Sequence, residues 1–293
     1  MNILVVGEYM NGTDIAAGGP FEGRLNSMAK MWLRQAGIEP RHCTFTNVFN
    51  KPSPSRGVMG FFGPKTSAPK HLKFFKRGKY LQSQHLPDLE LLWKKVKKFQ
   101  PNLVIAMGDV ALWALTSEGS LKFARGRITS GHSAFPNQKI LPTYSPAQIM
   151  AEWKLRPILL ADLDKARRQA EFPEVIRPQR FIHLEPSIQD LYDFYAEYIE
   201  PCTMLDCDIE TKGAIITCVG FAPSTDRALV IPFFDEGKPH NNYWETELEE
   251  LKAWRFVSRC LKSGKKLGGQ NFQYDMQYLW RQMGIKSPDF TDD

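Results

Sequence analysis

The sequence predicts an α/β protein made of two domains. Over the first 170 residues, short apolar segments alternate with amphipathic ones, which implies a parallel sheet with helices on both faces. The remaining third places several apolar strands close together between longer helical segments. At 293 residues the chain is long enough for two cores of ordinary size.

The first domain is predicted to cover residues 1–172. Its strands are Ile3–Val6, Thr44–Val48, Leu103–Met107 and Lys139–Pro142, and its helices are Arg24–Ala36, Asp88–Phe99, Val110–Thr116 and Pro157–Ala170. A basic insertion rich in proline and glycine, about residues 51–85, interrupts the alternation. We expect this insertion to be a long surface loop.

Residues 173–179 hold two prolines and are predicted to be a linker, so that the second domain covers residues 180–293. Strands are predicted at Met204–Asp208, Ile215–Phe221, Ala228–Ile231 and Lys266–Gly269, and helices at Ser187–Ile199, Glu245–Leu261 and Tyr274–Met283.

Composition places the chain among globular proteins, with 43% hydrophobic and 24% charged residues. No stretch approaches the roughly 20 apolar residues of a membrane span, and the N-terminus lacks the basic start and cleavage region of a signal peptide. We therefore expect a cytoplasmic protein, in the host cell if it is viral, with no membrane partner. The five cysteines show no metal-binding spacing and are expected to be reduced, mostly buried thiols.

The net charge of +6 is concentrated between residues 51 and 98. Aromatic residues interleave with the lysines there, and basic plus aromatic side chains suit a phosphate backbone with unstacked bases. The predicted partner is DNA, single-stranded or primer–template; the alternative is a solvated lysine-rich surface. The candidate DNA-binding residues are Lys65, Lys70, Lys73, Lys76, Arg77 and Lys79, and the interleaved rings are Phe61, Phe62, Phe74, Phe75 and Tyr80.

An acidic motif marks the second domain. Asp208 and Glu210 lie two residues apart on a predicted strand, so both point from one face and could hold a divalent cation through oxygen ligands. Asp275 follows the segment Gly268-Gly269-Gln270-Asn271-Phe272-Gln273-Tyr274 in the first turn of a helix. Alone, an Asp-x-Glu pair is common by chance, and Asp275 could simply favour the positive end of its helix.

Together these motifs resemble the exonuclease domains of family A DNA polymerases and the wider DnaQ-like 3′→5′ exonuclease superfamily. The resemblance implies an RNase H-like α/β domain in which Asp208 and Glu210 coordinate catalytic Mg²⁺ or Mn²⁺ and Asp275 assists, directly or through water. Such a site directs a metal-bound water at the terminal phosphodiester. The family's third motif, a Tyr or His followed four residues later by Asp, is not found after Asp275. We therefore expect an incomplete domain with little nuclease activity.

The first domain has its own ordered signature: Gly7-Glu8, the run Gly18 to Arg24, Thr46-Asn47-Val48, Gln100 to Gly108, Arg125-Gly126, and Pro142 to Ala147. This order and spacing resemble the uracil-DNA glycosylase superfamily, most closely its family 4 branch. The resemblance implies a three-layer fold that stacks an extruded base on Phe21 and reads it with Asn47, with Tyr9 in the pocket wall. The alternatives are a core aromatic at Phe21 and a turn cap at Asn47.

The sequence also departs from that family. The four cysteines of the family's iron–sulfur cluster are missing at corresponding positions, so no cluster is expected. Ser145 stands where the family has a histidine that stabilises the departing base, and Tyr9 stands where some branches have a water-activating Asp. Glu8 could still orient a water, and Asp14 is the other nearby carboxylate. We expect weakened chemistry and a retained role in binding DNA or a base.

The two resemblances together suggest the N-terminal region of a phage-type family A DNA polymerase, with a polymerase region following residue 293. Two alternatives are a free-standing uracil-DNA glycosylase of base excision repair and a non-catalytic DNA-binding accessory subunit.

Overall fold

The computed structural model describes residues 2–55, 57–69, 72–176 and 179–286, and the chain divides into two compact units, 1–176 and 177–293. Each unit has its own hydrophobic core. In the described part of the chain, no helix is long and apolar enough to cross a membrane.

Unit 1 is a sheet covered by helices on both faces. Its strands are β1 (Ile3–Tyr9), β2 (Cys43–Phe49), β3 (Phe62–Gly63), β4 (Tyr80–Leu81), β5 (Leu103–Met107), β6 (Thr129–Ser130) and β7 (Lys139–Thr143). Its helices are α1 (Gly12–Ala16), α2 (Arg24–Gln35), α3 (Leu86–Phe99), α4 (Asp109–Thr116), α5 (Leu121–Ala124), α6 (Pro146–Ala151) and α7 (Arg156–Gln169).

The main sheet of unit 1 has the strand order β2-β1-β5-β7-β6, with the first four strands parallel and β6 antiparallel to β7. Alternate residues of β1 enter different cores: Ile3 and Val5 pack with α2 and α7, and Leu4 and Val6 pack with α3 and α4. The predicted three-layer α/β fold with a parallel sheet is confirmed.

The basic insertion is not the surface loop that the sequence predicted. β3 and β4 pair antiparallel within it, and Phe61, Phe62 and Phe75 are buried in the α3–α4 side of the core. The Phe61 ring stacks on Phe49 with centroids 3.8 Å apart. Hydrophobic burial therefore anchors this segment, and these rings are core residues that cannot serve as an exposed stacking surface.

Unit 2 contains β8 (Phe181–His183), α8 (Ile188–Phe194), β9 (Met204–Lys212), β10 (Ile215–Ser224), β11 (Arg227–Pro232), α9 (Glu247–Leu261), β12 (Lys266–Gly268) and α10 (Phe272–Met283). The sheet order is β12-β9-β10-β11-β8. The pairs β9–β10 and β10–β11 are antiparallel, and the pairs β12–β9 and β11–β8 are parallel. The edge strand β8 was not predicted from the sequence.

One face of this second sheet carries the core. On β9, Leu205, Cys207 and Ile209 are buried together with residues of α8, α9 and α10. The intervening Asp208 and Glu210 are exposed, so the period of two along the strand places both carboxylates on the open face.

All five cysteines are free, as expected, but they are less buried than predicted. Cys207 and Cys260 are buried, whereas Cys43, Cys202 and Cys218 are only half-buried.

Candidate functional site

The parallel strands of unit 1 end beside one narrow pocket. Its lining includes Glu8 and Tyr9 at the end of β1, Phe21 before α2, and Ser145 after β7. Ligands of open α/β sheets bind outside the carboxyl ends of the strands, because loops from several strands converge there. The structure therefore brings Glu8, Tyr9, Phe21 and Ser145 of the predicted site together.

Asn47, the remaining predicted base-binding residue, does not line this pocket; it is buried behind Gly7, with 1% of its surface exposed. It pairs with Gly7 in the parallel register of β1 and β2. A Cβ placed on Gly7 would come within 2.4 Å of Asn47 Oδ1 and 2.8 Å of Phe21 Cζ. The Asn47 amide and the Phe21 ring therefore both pack directly against the main chain of Gly7, and any other residue at this position would clash with them.

The Asn47 amide has no hydrogen-bond partner at Nδ2 or Oδ1 among the described residues. Its main-chain N–H donates to Asn50 Oδ1 at 3.1 Å, so Asn47 is itself the residue being capped. A buried amide with neither donor nor acceptor used costs about 1–3 kcal/mol per group. The turn-cap interpretation of Asn47 therefore fails, and the arrangement favours a ligand with a complementary polar edge.

Phe21 adopts a left-handed backbone conformation, with φ of 64°. This region is unfavourable for a bulky residue and persists only where the surroundings impose it. Phe21 is 1% exposed and its ring packs on Phe45 at 5.2 Å between centroids. In the structure the ring is a buried aromatic that also lines the pocket.

Asp14 holds the loop that carries Phe21. Its carboxylate is fully buried and accepts hydrogen bonds from the Gly23 main-chain N–H at 2.9 Å and from Asn26 Nδ2 at 2.5 Å. A third bond comes from the Asn11 N–H at 3.2 Å in the capping box of α1. Through these hydrogen bonds, Asp14 fixes the loop that carries Phe21.

Glu8 is the ionisable group of the pocket. Burial raises the pKa of its carboxyl to about 7 and the charge of Asp109 adds to this, whereas the hydrogen bond from Val110 and the charge of Lys76 act in the opposite direction. Glu8 Oε1 accepts the Val110 N–H at 3.0 Å. Gly108, at φ of 104°, makes room for the carboxyl, since a Cβ there would lie 2.5 Å from Glu8 Cδ. A carboxyl that titrates near neutral pH can exchange a proton with a ligand.

Ser145 is the N-cap of α6. Its Oγ accepts the Gln148 N–H at 3.3 Å, and the Gln148 side chain accepts the Ser145 N–H at 2.8 Å. The hydroxyl hydrogen remains available for the pocket, because the cap uses only the oxygen as acceptor. Ser145 can therefore donate one neutral hydrogen bond there.

The predicted DNA-binding residues of the insertion are exposed at Lys65, Lys73, Lys76, Arg77 and Lys79. The predicted Lys70 lies outside the described residues. Two of the predicted stacking rings stay near the surface, Phe74 at 52% exposure and Tyr80 half-buried, with their centroids 6.0 Å apart. The exposed charge supports contact with phosphates, whereas base stacking has fewer rings available than the sequence suggested.

In unit 2, Asp275 lies in the first turn of α10 as predicted and is buried. Its Oδ1 accepts the Ile209 N–H of β9 at 2.8 Å. Burial raises the pKa of Asp275, the Ile209 hydrogen bond lowers it, and the charges of Asp208 and Glu210 raise it. The charges of Asp208 and Glu210 thus act on Asp275, but among residues 2–55, 57–69, 72–176 and 179–286 no group of three metal-ligating side chains lies close enough together to hold a metal ion.

Sequence reasoning missed Asp206 and the role of Asp14. Asp206 shares the open face of β9 with Asp208, and the alternation of apolar and acidic residues along Asp206 to Glu210 was the available signal. Asp14 was named only as a nearby carboxylate, because nothing local shows that it bonds to Gly23, nine residues away.

Comparison with known proteins identifies a family for the first unit and a distant structural likeness. Residues 1–171 match the family described as the uracil DNA glycosylase superfamily. No curated protein matches the chain. Among solved structures, the "Crystal structure of Aedes aegypti Nibbler EXO domain" shares 12% identity over 40% of this chain and 52% of that chain, with a TM-score of 0.29. This chain spans about half of that structure, and the likeness is too low to carry an argument.

Proposed function

The chain belongs to the uracil DNA glycosylase superfamily, and from this premise we propose that unit 1 binds a nucleobase extruded from DNA. The observation that carries the proposal is Asn47, whose buried amide has no partner among the described residues and lies over Gly7 beside Phe21. An extruded base needs a polar group for its pairing edge and a ring or apolar wall for its face.

The proposed ligand is uracil. Its imide edge offers an N–H donor beside a carbonyl acceptor, and the Asn47 amide offers the complementary acceptor and donor. Filling both would remove the cost of the buried, unpaired amide. Phe21 would provide the apolar face of the pocket, and its strained backbone is consistent with a ring held in place before the ligand arrives.

The chemistry of this pocket is proposed to be weak. Excision breaks the bond between the sugar carbon and the base nitrogen, leaves the electron pair on the departing base and adds a water to the sugar. Ser145 can give the departing anion only a neutral hydrogen bond, which stabilises charge less than a cationic donor does.

A second candidate function is active uracil excision, and Glu8 favours it. A carboxyl with a pKa of about 7 is balanced between its charged and neutral forms at cellular pH, as a general base requires. In that reaction Glu8 would accept the proton of the attacking water.

For unit 2 we propose a 3′→5′ exonuclease-type sheet that binds a divalent cation weakly. Asp208 and Glu210 provide carboxylate oxygens on one open face, which suits Mg²⁺ or Mn²⁺. Asp275 would act through water, because its Oδ1 is engaged by Ile209. In Mn²⁺ titrations followed by water-proton relaxation, we expect binding that is lost in Asp208→Asn; binding unchanged by this variant would contradict the proposal.

The order of the two units leads us to propose that they serve a DNA replication protein, the N-terminal region of a family A polymerase. The supporting feature is the exonuclease-type motif that follows a base-binding unit in one chain. The nucleotide sequence downstream of codon 293 tests this: a Tyr-x-x-x-Asp motif followed by polymerase motifs is expected, and an immediate stop codon would contradict it.

The base-binding proposal is tested by fluorescence anisotropy with matched duplexes that carry a single uracil or thymine opposite guanine. We expect tighter binding to the uracil duplex, and Asn47→Ala should reduce that preference about tenfold, the size of one lost pair of buried hydrogen bonds. Asn137→Ala, an exposed asparagine of the same unit, is the control. Equal affinity of the wild-type protein for both duplexes would refute base binding, and release of free uracil well above background would favour the second candidate.

A further inference from the structure

The basic insertion contacts α4, the helix whose first turn donates a hydrogen bond to Glu8 of β1. Phe75 is buried and anchors a tight turn in which Phe75 N–H donates to Lys79 O at 2.9 Å and Lys79 N–H donates to Lys76 O at 2.8 Å. From this turn Lys76 Nζ reaches Asp109 Oδ2 at 3.2 Å. The Lys76 side chain is 50% exposed, so its ammonium group is paired and at the same time open to solvent.

Asp109 joins this ion pair to the base pocket. It is the first residue of α4, and its other oxygen, Oδ1, accepts the Leu121 N–H at 2.9 Å, which fixes the carboxylate. The next main-chain N–H, from Val110, donates to Glu8 Oε1. The backbone at Gly108 packs directly on the Glu8 carboxyl. An unbroken series of contacts therefore runs from Lys76 through Asp109 to Glu8.

We propose that Lys76 is a positioning residue that links DNA binding by the insertion to proton uptake by Glu8 in the base pocket. The inference rests on the proposed base-binding function. A DNA phosphate can compete with Asp109 for the half-exposed ammonium group. When Lys76 turns to the phosphate, Asp109 loses its cation and Glu8 is left facing an unneutralised negative charge.

The direction of the effect follows from the charges around Glu8. The negative charge of Asp109 disfavours the Glu8 carboxylate, and the positive charge of Lys76 favours it. The other polar side chains of the pocket, from β1, the α1–α2 segment and the loop after β7, are Tyr9, Asn11, Asn26 and Ser145, none of which bears a carboxyl, amino or guanidinium group. Removing Lys76 from Asp109 therefore favours the neutral acid, with the proton supplied by solvent.

The neutral acid has a use in the pocket. Glu8 Oε1 accepts the Val110 N–H, so the proton is placed on Oε2, which can then donate a hydrogen bond to a carbonyl of the bound base. On this proposal the pocket gains a hydrogen-bond donor when the insertion has engaged a DNA backbone. In protein that has not bound a DNA backbone, a free base would meet the Glu8 carboxylate in its charged form more often than an extruded base in bound DNA would.

The experiment is an NMR titration of the full chain with ¹³C-labelled glutamate side chains, reading the midpoint of Glu8. Lys76→Met removes the charge and keeps most of the stem, and Lys98→Met removes an exposed charge near the end of α3, outside the insertion. We expect Lys76→Met to raise the midpoint by about 0.5 pH unit, the order of removing one partly solvated charge. Lys98→Met should leave it unchanged, and equal midpoints in the two variants would overturn the proposal.

The titration is repeated with a short duplex of normal base pairs, so that no extruded base is required. DNA should raise the Glu8 midpoint in the wild-type and Lys98→Met proteins, and the rise in Lys76→Met should be less than half as large. A wild-type midpoint that DNA does not move, or the same rise in both variants, refutes the coupling. If instead uracil and thymine duplexes bind equally but the DNA-dependent shift is present, the proposed base recognition fails and the coupling stands.

Discussion

Replacing Gly7 by alanine tests the geometry of the base pocket most directly. Gly7 lies in β1, paired with Asn47 of the neighbouring strand. The added methyl group would lie 2.4 Å from Asn47 Oδ1 and 2.8 Å from Phe21 Cζ. Ordinary contacts of carbon with carbon or oxygen are about 3.3–4 Å, so one partner must move by roughly 1 Å.

The expected loss of stability follows from this crowding. Inserting a methyl group into a well-packed interior costs about 1–3 kcal/mol. For a unit of this size, about 2 kcal/mol lowers the melting temperature by roughly 4–8 °C. Because the displaced groups are the amide and the ring proposed to bind the base, preference for a uracil duplex should also fall by about tenfold or more.

Differential scanning fluorimetry and the duplex-binding assay measure the two effects. Gly12→Ala is the matched control, since a Cβ at Gly12 would meet nothing within 4 Å. We expect Gly12→Ala to behave like the wild-type protein. A Gly7→Ala protein with unchanged melting temperature and unchanged base preference would show that Asn47 and Phe21 do not rest on Gly7 as described.

Three further predictions follow from buried polar groups of unit 1. The pKa of Glu8 is raised from 4.5 to about 7, so its contribution to stability is complete below about pH 4.5 and is lost as the pH rises through 7. Urea unfolding of wild type and Glu8→Gln should therefore show the wild type losing stability relative to the variant between pH 5 and 8; a constant difference contradicts this. Lys139 is buried and its Nζ donates at 2.6 Å to each of two main-chain carbonyls at and just after the end of α7. Lys139→Met should cost about 2 kcal/mol in the same assay, against no change for the exposed Lys122→Met, and an equally stable Lys139→Met protein would refute the role of these bonds. Asp14→Asn places a side-chain NH₂ group against the Asn26 NH₂ group that donates to Asp14, and should lower both the stability and the preference for uracil. A stable variant that keeps the full preference would contradict the role of Asp14 in orienting the Phe21 loop.

Local sequence patterns predicted most of the elements that position the site. The apolar run at Ile3–Val6 and the run at Leu103–Met107 both became central parallel strands, because burial on two faces requires continuous apolar residues. The alternation from Leu205 to Glu210 placed the two carboxylates on one face of β9 correctly, because side chains of a strand point to opposite faces in turn.

The insertion shows where local patterns stop being informative. Lysines and phenylalanines interleave between residues 61 and 80, and the same pattern suits a DNA-binding loop or an anchored segment. The structure separates the two sets of side chains: Phe61, Phe62 and Phe75 are in the core, whereas the described lysines Lys65, Lys73, Lys76 and Lys79 are exposed. The burial of these rings depends on contacts between Phe61 and Phe49 and between Phe62 and Trp113. Phe49 lies on β2 and Trp113 on α4, so the local pattern within the insertion does not reveal these contacts.

The chain's sequence alone was sufficient for the α/β class, most strands of the two main sheets and several residues that line the pocket of unit 1, since periodicity and glycine placement are local properties. Tertiary structure decided which of those residues have partners. It left the Asn47 amide without a hydrogen-bond partner among the described residues, raised the pKa of Glu8 towards neutral pH and turned the Asp275 carboxylate towards the Ile209 N–H. Hydrogen bonding and desolvation depend on groups that are far apart along the chain, so only the folded arrangement determines them.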